Sequence, residues 1–297
     1  MWFTFALISV LAWGTADLFY KKGNQPGDPT SHWKTVIMVG LAMGLHAFYV
    51  LATSSEPYHP INIIRYLPVS AMYILSMTVG YAGLRYIELS ISSPIQNSSG
   101  AVSALLTFLI LGQTMTPVQF FAVVLISIGI ILLGVFERQL ALEERMLNKE
   151  KVERKYRIGA LALVLPILYA VIDALGTFLD GYMLNTQMTE QQANVSYELT
   201  FFICAILAYV YVRFIRKEKL TLRGQADNAA AAVFETLGQF FYVYAMASNA
   251  VVVAPLISSY SMVSVVLSRI FLKEKLSAKQ YGVIAMIMVG IFILGFE

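Results

Sequence analysis

Ser92-Ser-Pro-Ile-Gln-Asn-Ser-Ser-Gly-Ala-Val-Ser-Ala-Leu-Leu-Thr-Phe-Leu-Ile-Leu111 is the stretch that decides the fold. It carries no charge over a length that matches one bilayer crossing, for which a helix needs about 20 residues. Its first half is rich in hydroxyls and amides around a proline, and its second half is apolar. The stretch Val253-Ala-Pro-Leu-Ile-Ser-Ser-Tyr-Ser-Met-Val-Ser-Val-Val-Leu-Ser-Arg-Ile-Phe-Leu272 lies 161 residues later and sets Pro255 on Pro94, Ser259 on Ser98 and Ser264 on Ser103. The same offset carries Tyr81–Phe136 over Tyr242–Glu297 without a gap, pairing Gln119 with Gln280, Gly129 with Gly290 and Gly134 with Gly295. Apolar helices match one another by composition, but shared Pro, Gly and Gln in one register do not belong to that background, so the chain reads as a duplication. An offset of 156 in the opening helices pairs Trp13 with Tyr169 and Asp17 with Asp173, on fewer residues.

Outward from this stretch, the whole chain has the composition of a membrane protein. Hydrophobic residues make up 58%, charged residues 13%, and mean hydropathy is +0.68, which leaves too little polar surface to clothe a soluble globule. Apolar runs lie at 2–20, 35–53, 67–84, 92–111 and 118–136, and again at 158–180, 195–215, 229–247, 251–272 and 278–296. They are too long for barrel strands, and only a helix satisfies its own backbone in lipid. The expectation is an all-α polytopic membrane protein with ten transmembrane helices. The first run opens at Trp2 with no basic segment before it and no small-residue cleavage site after it, so it reads as a retained helix. The charged segment 138–157 divides the chain into a first five-helix repeat, 1–137, and a second, 158–297.

Five helices per half is an odd number, so the second copy enters the membrane opposite to the first and the repeats are inverted. Of the 21 lysines and arginines, all but Arg65 fall in or beside the loops after helices 1, 3, 5, 7 and 9. A miscounted span would scatter them over both faces. The basic excess makes that face cytoplasmic, with the 138–157 linker inside and both termini outside. With a net charge of only +3, and with the cations placed between apolar runs, nothing forms a nucleic-acid patch. The lone Cys204 lies within an apolar run and excludes an intrachain disulfide and any multi-cysteine metal site.

The two halves resemble the EamA-type transporters of the drug/metabolite transporter superfamily. The likeness rests on Trp13-Gly14 in the first helix and on Val251–Gly295, with its Leu272-Lys-Glu-Lys-Leu-Ser277 turn and the following Gly290 and Gly295. It runs over essentially the whole chain. The first copy departs from the pattern, with Gln113 where Glu274 carries the family's acidic turn residue. The resemblance implies a ten-helix carrier that opens a central cavity alternately to either side, and it implies no particular substrate. Family members are often placed with both termini in the cytoplasm, the reverse of the charge count.

Ionisable groups within spans cost a few kcal/mol to insert, which makes them functional candidates by default. Asp17, Asp173 and Glu235 are three such groups. Each has aromatic or amide company at helical spacing: Trp13 four before Asp17, Tyr169 four before Asp173, Gln239 and Tyr242 four and seven after Glu235. A carboxylate beside a ring on one face suits a cationic or amine-bearing solute. For Asp17 a surface ion pair with Lys21 competes with that role. Gln96, Asn97 and Tyr260, in the two proline-bearing helices, are candidates to face a cavity, because proline and small hydroxyl residues can open a transmembrane helix toward one. Ser98, Ser103, Ser259 and Ser264 read as packing positions. His46 reads as a packed histidine, and the tyrosines and phenylalanines as mostly lipid-facing and interfacial.

The expected function is secondary active transport of a small polar metabolite, neutral or cationic, of the amino acid or amine kind, with protons as the coupling ion. The partners are the solute, the bilayer and protons, as monomer or homodimer in the cell membrane. No cofactor, metal site or catalytic residue is expected, since no His-Glu-x-x-His, Gly-x-Ser-x-Gly or Walker A motif occurs. An intramembrane enzyme and a passive channel or scaffold are the rivals.

Overall fold

Without water in the bilayer core, each backbone N–H and C=O must be satisfied within its own element, and the chain folds into helices with no strand among the described residues. The computed structural model describes residues 1–297 except 26, 148–158, 219, 274–276, 295 and 297; for 137, 138, 140–147, 159–163, 222 and 223 only the backbone is described.

The first helix, α1 (Trp2–Gly23), ends with Lys21 and Lys22 in its last turn, where cations complement the helix dipole. Asn24 closes it by donating from its side-chain amide to the Tyr20 carbonyl at 3.0 Å. Then come α2 (Ser31–Thr53) and α3 (Ile61–Gly83), the latter starting directly after Pro60 and thus ahead of the expected run at 67–84. The run expected as one helix at 92–111 is two, α4 (Leu89–Asn97) and α5 (Ser99–Leu111). At the break the Ser98 hydroxyl donates back to the Ile95 carbonyl at 2.7 Å, the local bond by which serine competes with the helix ladder. Next, α6 (Pro117–Leu147) runs well past 136 and takes residues 138–147 of the expected linker into the helix. The rest of that linker lies outside the described residues. Beyond it are α7 (Gly159–Thr186), α8 (Glu190–Val210), α9 (Ala226–Ser258), α10 (Tyr260–Leu267) and α11 (Ala278–Leu294).

Among the described residues, eight helices are long and apolar enough to cross a membrane. The last of them, Ala226–Leu272, has 47 residues and contains both runs expected at 229–247 and 251–272. They meet at Asn249, whose φ of −162° and ψ of 90° leave the helical region. The apolar helix Ala278–Leu294 is shorter than the eight.

Local features recur at the 161-residue offset. Ser259 breaks α9 from α10 as Ser98 breaks α4 from α5, its hydroxyl donating to the Leu256 carbonyl at 2.6 Å. Gly112 and Lys273 both end their segments in the left-handed region, at φ 64° and 60°. Gln119 accepts from the Thr116 amide at 3.0 Å, and Gln280 accepts from the Ser277 amide at 2.5 Å, so the shared glutamines are reciprocal caps of α6 and α11. The shared glycines mark where those two helices touch. A Cβ on Gly129 would lie 2.5 Å from the Ile287 side chain, and one on Gly290 would lie 2.7 Å from the Ile126 side chain.

Helix α1 packs on α9 as α7 packs on α3, while α2 pairs with α8 and α6 with α11. Polarity is arranged inside out. Leu45, Tyr49, Ile64, Leu109 and Phe292 are exposed, whereas Ser76, Ser92, Asp180, Glu198 and Ser259 are fully buried. Several described basic residues reach across between loops, as Arg85 does in donating to the Pro29 carbonyl at 3.1 Å. Lys34 pairs with Asp28 at 2.6 Å and with Glu218 at 2.9 Å. Lys22 lies over the Phe271 ring, and Lys279 lies over Phe136. Hydrogen bonds from Thr30 and Lys34 hold the Glu218 carboxyl below its usual range.

The α2–α8 contact rests on Gly40, where a Cβ would lie 2.5 Å from both the Phe201 carbonyl oxygen and the Ala205 Cβ. A carbonyl oxygen cannot rotate aside, so Gly40→Ala must push the helices apart, at about 1–3 kcal/mol by the usual cost of overpacking. The expected outcome is a lower melting temperature in detergent, read by tyrosine and tryptophan fluorescence. Gly282→Ala, where a Cβ meets nothing within 4 Å, is the control and should melt like the parent.

Candidate functional site

All ten site candidates from the sequence line one cavity, with about 70 Å³ of free space, between α1, α3, α4, α7, α8, α9 and α10. Each arrives there for a local reason. On α1, Trp13 and Asp17 are one turn apart and share a face. The Trp13 ring lies against Gly238 of α9, where a Cβ would come within 2.4 Å of it, so the glycine makes room for the indole. The indole N–H donates to the Glu235 carbonyl at 3.3 Å, and the ring sits 5.0 Å from Tyr242 and 5.7 Å from Tyr260.

Asp17 is buried and accepts from the hydroxyls of Ser93 at 2.6 Å and Ser264 at 2.7 Å. The competing reading as a surface ion pair does not describe it, because Asp17 is turned inward while Lys21 donates to the carbonyls of Leu84 and Ile87. Ser264, expected only to pack, is thus a carboxylate partner. Asp173 on α7 accepts from Ser99 at 2.7 Å and Ser76 at 3.4 Å. Tyr169, one turn earlier, packs its ring on Gly80. Glu235 on α9 accepts from the Tyr20 hydroxyl at 3.1 Å. Asp17, on the first half, is held partly by Ser264 of the second, and Asp173, on the second, by Ser99 of the first.

The amides differ from the acids in being only partly engaged. Asn97 donates to the Ser93 carbonyl at 2.8 Å. The side-chain nitrogens of Gln96 and Gln239 are buried, line the cavity and have no hydrogen-bond partner among the described residues. A buried donor without an acceptor is costly, by about 1–3 kcal/mol, and a solute oxygen in the cavity would relieve it. No lysine or arginine is among the described residues that line the cavity. The site therefore presents three carboxyl groups, aromatic faces and two open amide donors.

Sequence reasoning missed several of these groups. Tyr20, Tyr73, Tyr81 and Tyr197 are buried cavity residues rather than lipid-facing or interfacial ones. The spacing Tyr73, Met77, Tyr81 on one face of α3 was the available signal. Asp180 is fully buried just behind the cavity, accepting from the Tyr66 and Tyr73 hydroxyls, and it continues the face that carries Asp173 and Thr177. His46 is not merely packed: its Nδ1 lies 2.8 and 2.9 Å from the two oxygens of buried Glu198, which also accepts from Asn194.

A bundle of apolar helices around a polar, aromatic-lined cavity defines a multi-pass membrane protein of the transporter class. The model of the EamA-like transporter family matches residues 1–135 and again 159–296. The chain belongs to that family, within the drug/metabolite transporter superfamily. No curated protein matches it in sequence. One solved crystal structure is similar to it at 13% identity, covering 99% of this chain and 96% of its own, with a TM-score of 0.64, a likeness of fold alone.

If the cavity is reached by water, cysteines at Gln96, Asn97 and Tyr260 in a Cys204→Ser background should react with small thiol reagents. A cysteine at Ser259, buried and bonded to its own helix, should not. Equal inertness at all four positions would return the three to a packing role.

Proposed function

We propose that the protein is a secondary carrier that takes a small cationic or zwitterionic solute, an amine or amino acid, through its central cavity by alternating access with proton coupling. The observation that carries this reading is the pairing of Asp17, Asp173 and Glu235 with aromatic rings in one cavity that has no cation among its described lining residues. Carboxylates held only by hydroxyls attract a solute ammonium, which can also lie over Trp13 or Tyr242. The two open glutamine donors suit a carboxylate or carbonyl on the same solute. An organic phosphate would find three like charges and no arginine.

We further propose ten crossings in two inverted five-helix repeats. At about 1.5 Å per residue the 47 residues of Ala226–Leu272 would measure about 70 Å, roughly twice a bilayer core, and the break at Asn249 allows two passes. The paired caps, breaks and glycine contacts at the 161-residue offset support two copies of one unit. The placement of every lysine and arginine but Arg65 in or beside the loops after helices 1, 3, 5, 7 and 9 supports a cytoplasmic face there, with both termini opposite. Inverted repeats around a midplane site are the architecture of alternating access, which favours a carrier over a channel or scaffold.

A thermal-shift screen of amines, amino acids and sugars on the purified protein selects the solute, and counterflow in liposomes tests transport. Stabilisation by amines or amino acids with saturable counterflow is the expected result; flux without saturation or exchange would make it a channel. Asp173→Asn and Glu235→Gln should fold and insert but accumulate far less solute against a proton-driven gradient. If both accumulate it as the parent does, the role given to these acids is wrong.

Topology has its own test. A cysteine at Asn148 should resist impermeant thiol reagents in intact cells and react after lysis. Ready labelling in intact cells would reverse the orientation.

A further inference from the structure

Asp180 is the buried acid that the cavity does not explain. It lies on α7 one turn beyond Thr177, is fully buried, and is absent from the cavity wall. Its two oxygens face tyrosine hydroxyls: Tyr66 donates to Oδ1, and Tyr73 lies 3.5 Å from Oδ2. The Tyr73 hydroxyl is also 3.2 Å from the Thr177 hydroxyl and 2.6 Å from that of Tyr242. Tyr73 and Tyr242 both line the cavity. A continuous row of hydroxyls therefore runs from the cavity through Tyr242 and Tyr73 to a carboxyl one step behind the wall.

Among the described residues, the side chains that hydrogen-bond Asp180 are tyrosines. Helix α3 brings Tyr66 and Tyr73 and α9 brings Tyr242; Tyr197 of α8 donates its hydroxyl to Met77 Sδ instead, and α4 and α5 contribute no titratable side chain. Arg65, next to Tyr66, points to the exposed side of α3. Glu198 of α8 is engaged with His46 and Asn194. A permanent carboxylate here would sit in the bundle without a cation, which costs several kcal/mol.

We propose that Asp180 is a proton-binding site, filled from and emptied into the cavity through the hydroxyls of Tyr73 and Tyr242. In the ionised form, Tyr242 donates to Tyr73 and Tyr73 donates to Asp180 Oδ2. When a proton reaches Tyr242 Oη from the cavity, Tyr242 passes its own proton to Tyr73, and Tyr73 passes its own to Oδ2. At each tyrosine one O–H bond breaks as another forms, so neither is left charged and the carboxylate becomes an acid. The row then points the other way, with Oδ2–H donating to Tyr73, Tyr73 to Tyr242, and Tyr242 into the cavity. A hydroxyl can donate and accept in turn, which is what both directions require. The cavity acids would answer the charge of the solute while Asp180 holds the coupled proton. This purpose rests on the carrier reading; the protonation itself does not.

The test is infrared difference spectroscopy of the full chain in liposomes, with pH as the only variable and no solute. A carboxylic acid C=O band should grow as pH falls, be lost in Asp180→Asn, and return at a shifted frequency in Asp180→Glu, which also guards against simple misfolding. On transfer to D2O the band should shift, and in Tyr73→Phe it should persist but shift more slowly. A pH difference spectrum of Asp180→Asn that matches the parent's in the carboxylic acid region, the lack of any titrating band in the parent, or equally fast exchange in Tyr73→Phe would each overturn the proposal, bands of the cavity acids being those that Asp180→Asn leaves in place. Counterflow in the same liposomes separates the two readings. Exchange without the titrating band removes the proton site alone, whereas the band without exchange leaves the proton site standing and removes the carrier.

Discussion

A carboxyl group in a helix bundle surrounded by lipid must find donors, and what kind of donor it finds decides what it can do. Asp17 is held by Ser93 and Ser264, Asp173 by Ser76 and Ser99, Glu235 by Tyr20 and Asp180 by Tyr66 and Tyr73. A lysine or arginine in their place would fix the charge and fill the space. Hydroxyls do neither, since each can donate to a carboxylate or accept from a carboxylic acid. The bundle therefore keeps these acids without committing them to one protonation state. Glu198, with His46 against both its oxygens, is the contrasting case.

That choice of donors sets the rest of the design. Serines must come close to the acids, and α4 and α10, which supply Ser93 and Ser264, carry them beside breaks at Ser98 and Ser259. Tyrosines must reach inward from α1, α3 and α9, so their rings occupy the centre of the molecule and aliphatic side chains are left for the lipid. Glycines give the rings room, as Gly238 does for Trp13 and Gly80 for Tyr169. The apolar exterior and the polar interior are two sides of one arrangement.

The helical, membrane-embedded fold was plain in the sequence because hydropathy reports directly on the solvent. The convergence of Trp13, Asp17, Tyr169 and Asp173 was legible because two residues four apart must share a helix face. Gln96, Asn97 and Tyr260 could be placed because polar side chains beside a proline have few uses in a span. What stayed hidden depended on where helices end. The run read as 158–180 closes on Asp180, which made that acid look like a boundary residue; α7 continues to Thr186 and carries it inside. Tyrosine is ambiguous for a different reason, since its ring suits an interface and its hydroxyl suits a buried acid, and only the partner decides between them. The boundary between the apolar runs at 229–247 and 251–272 was legible in the hydropathy, and Asn249, outside the helical region, stands between them.

The contact between α6 and α11 has a property that ordinary helix contacts lack. Gly129 receives Ile287 and Gly290 receives Ile126, and the two glycines, like the two isoleucines, stand 161 residues apart. Each side thus offers the same knob and the same notch, which is the isologous geometry of a symmetric dimer written within one polypeptide. Two separate copies of a single such helix could make it without any difference between their sequences. In the joined chain the same geometry has a cost: a larger residue at either glycine drives into the isoleucine seated on it, Gly129 into Ile287 and Gly290 into Ile126, so the seam has two places where a single added methyl opens it.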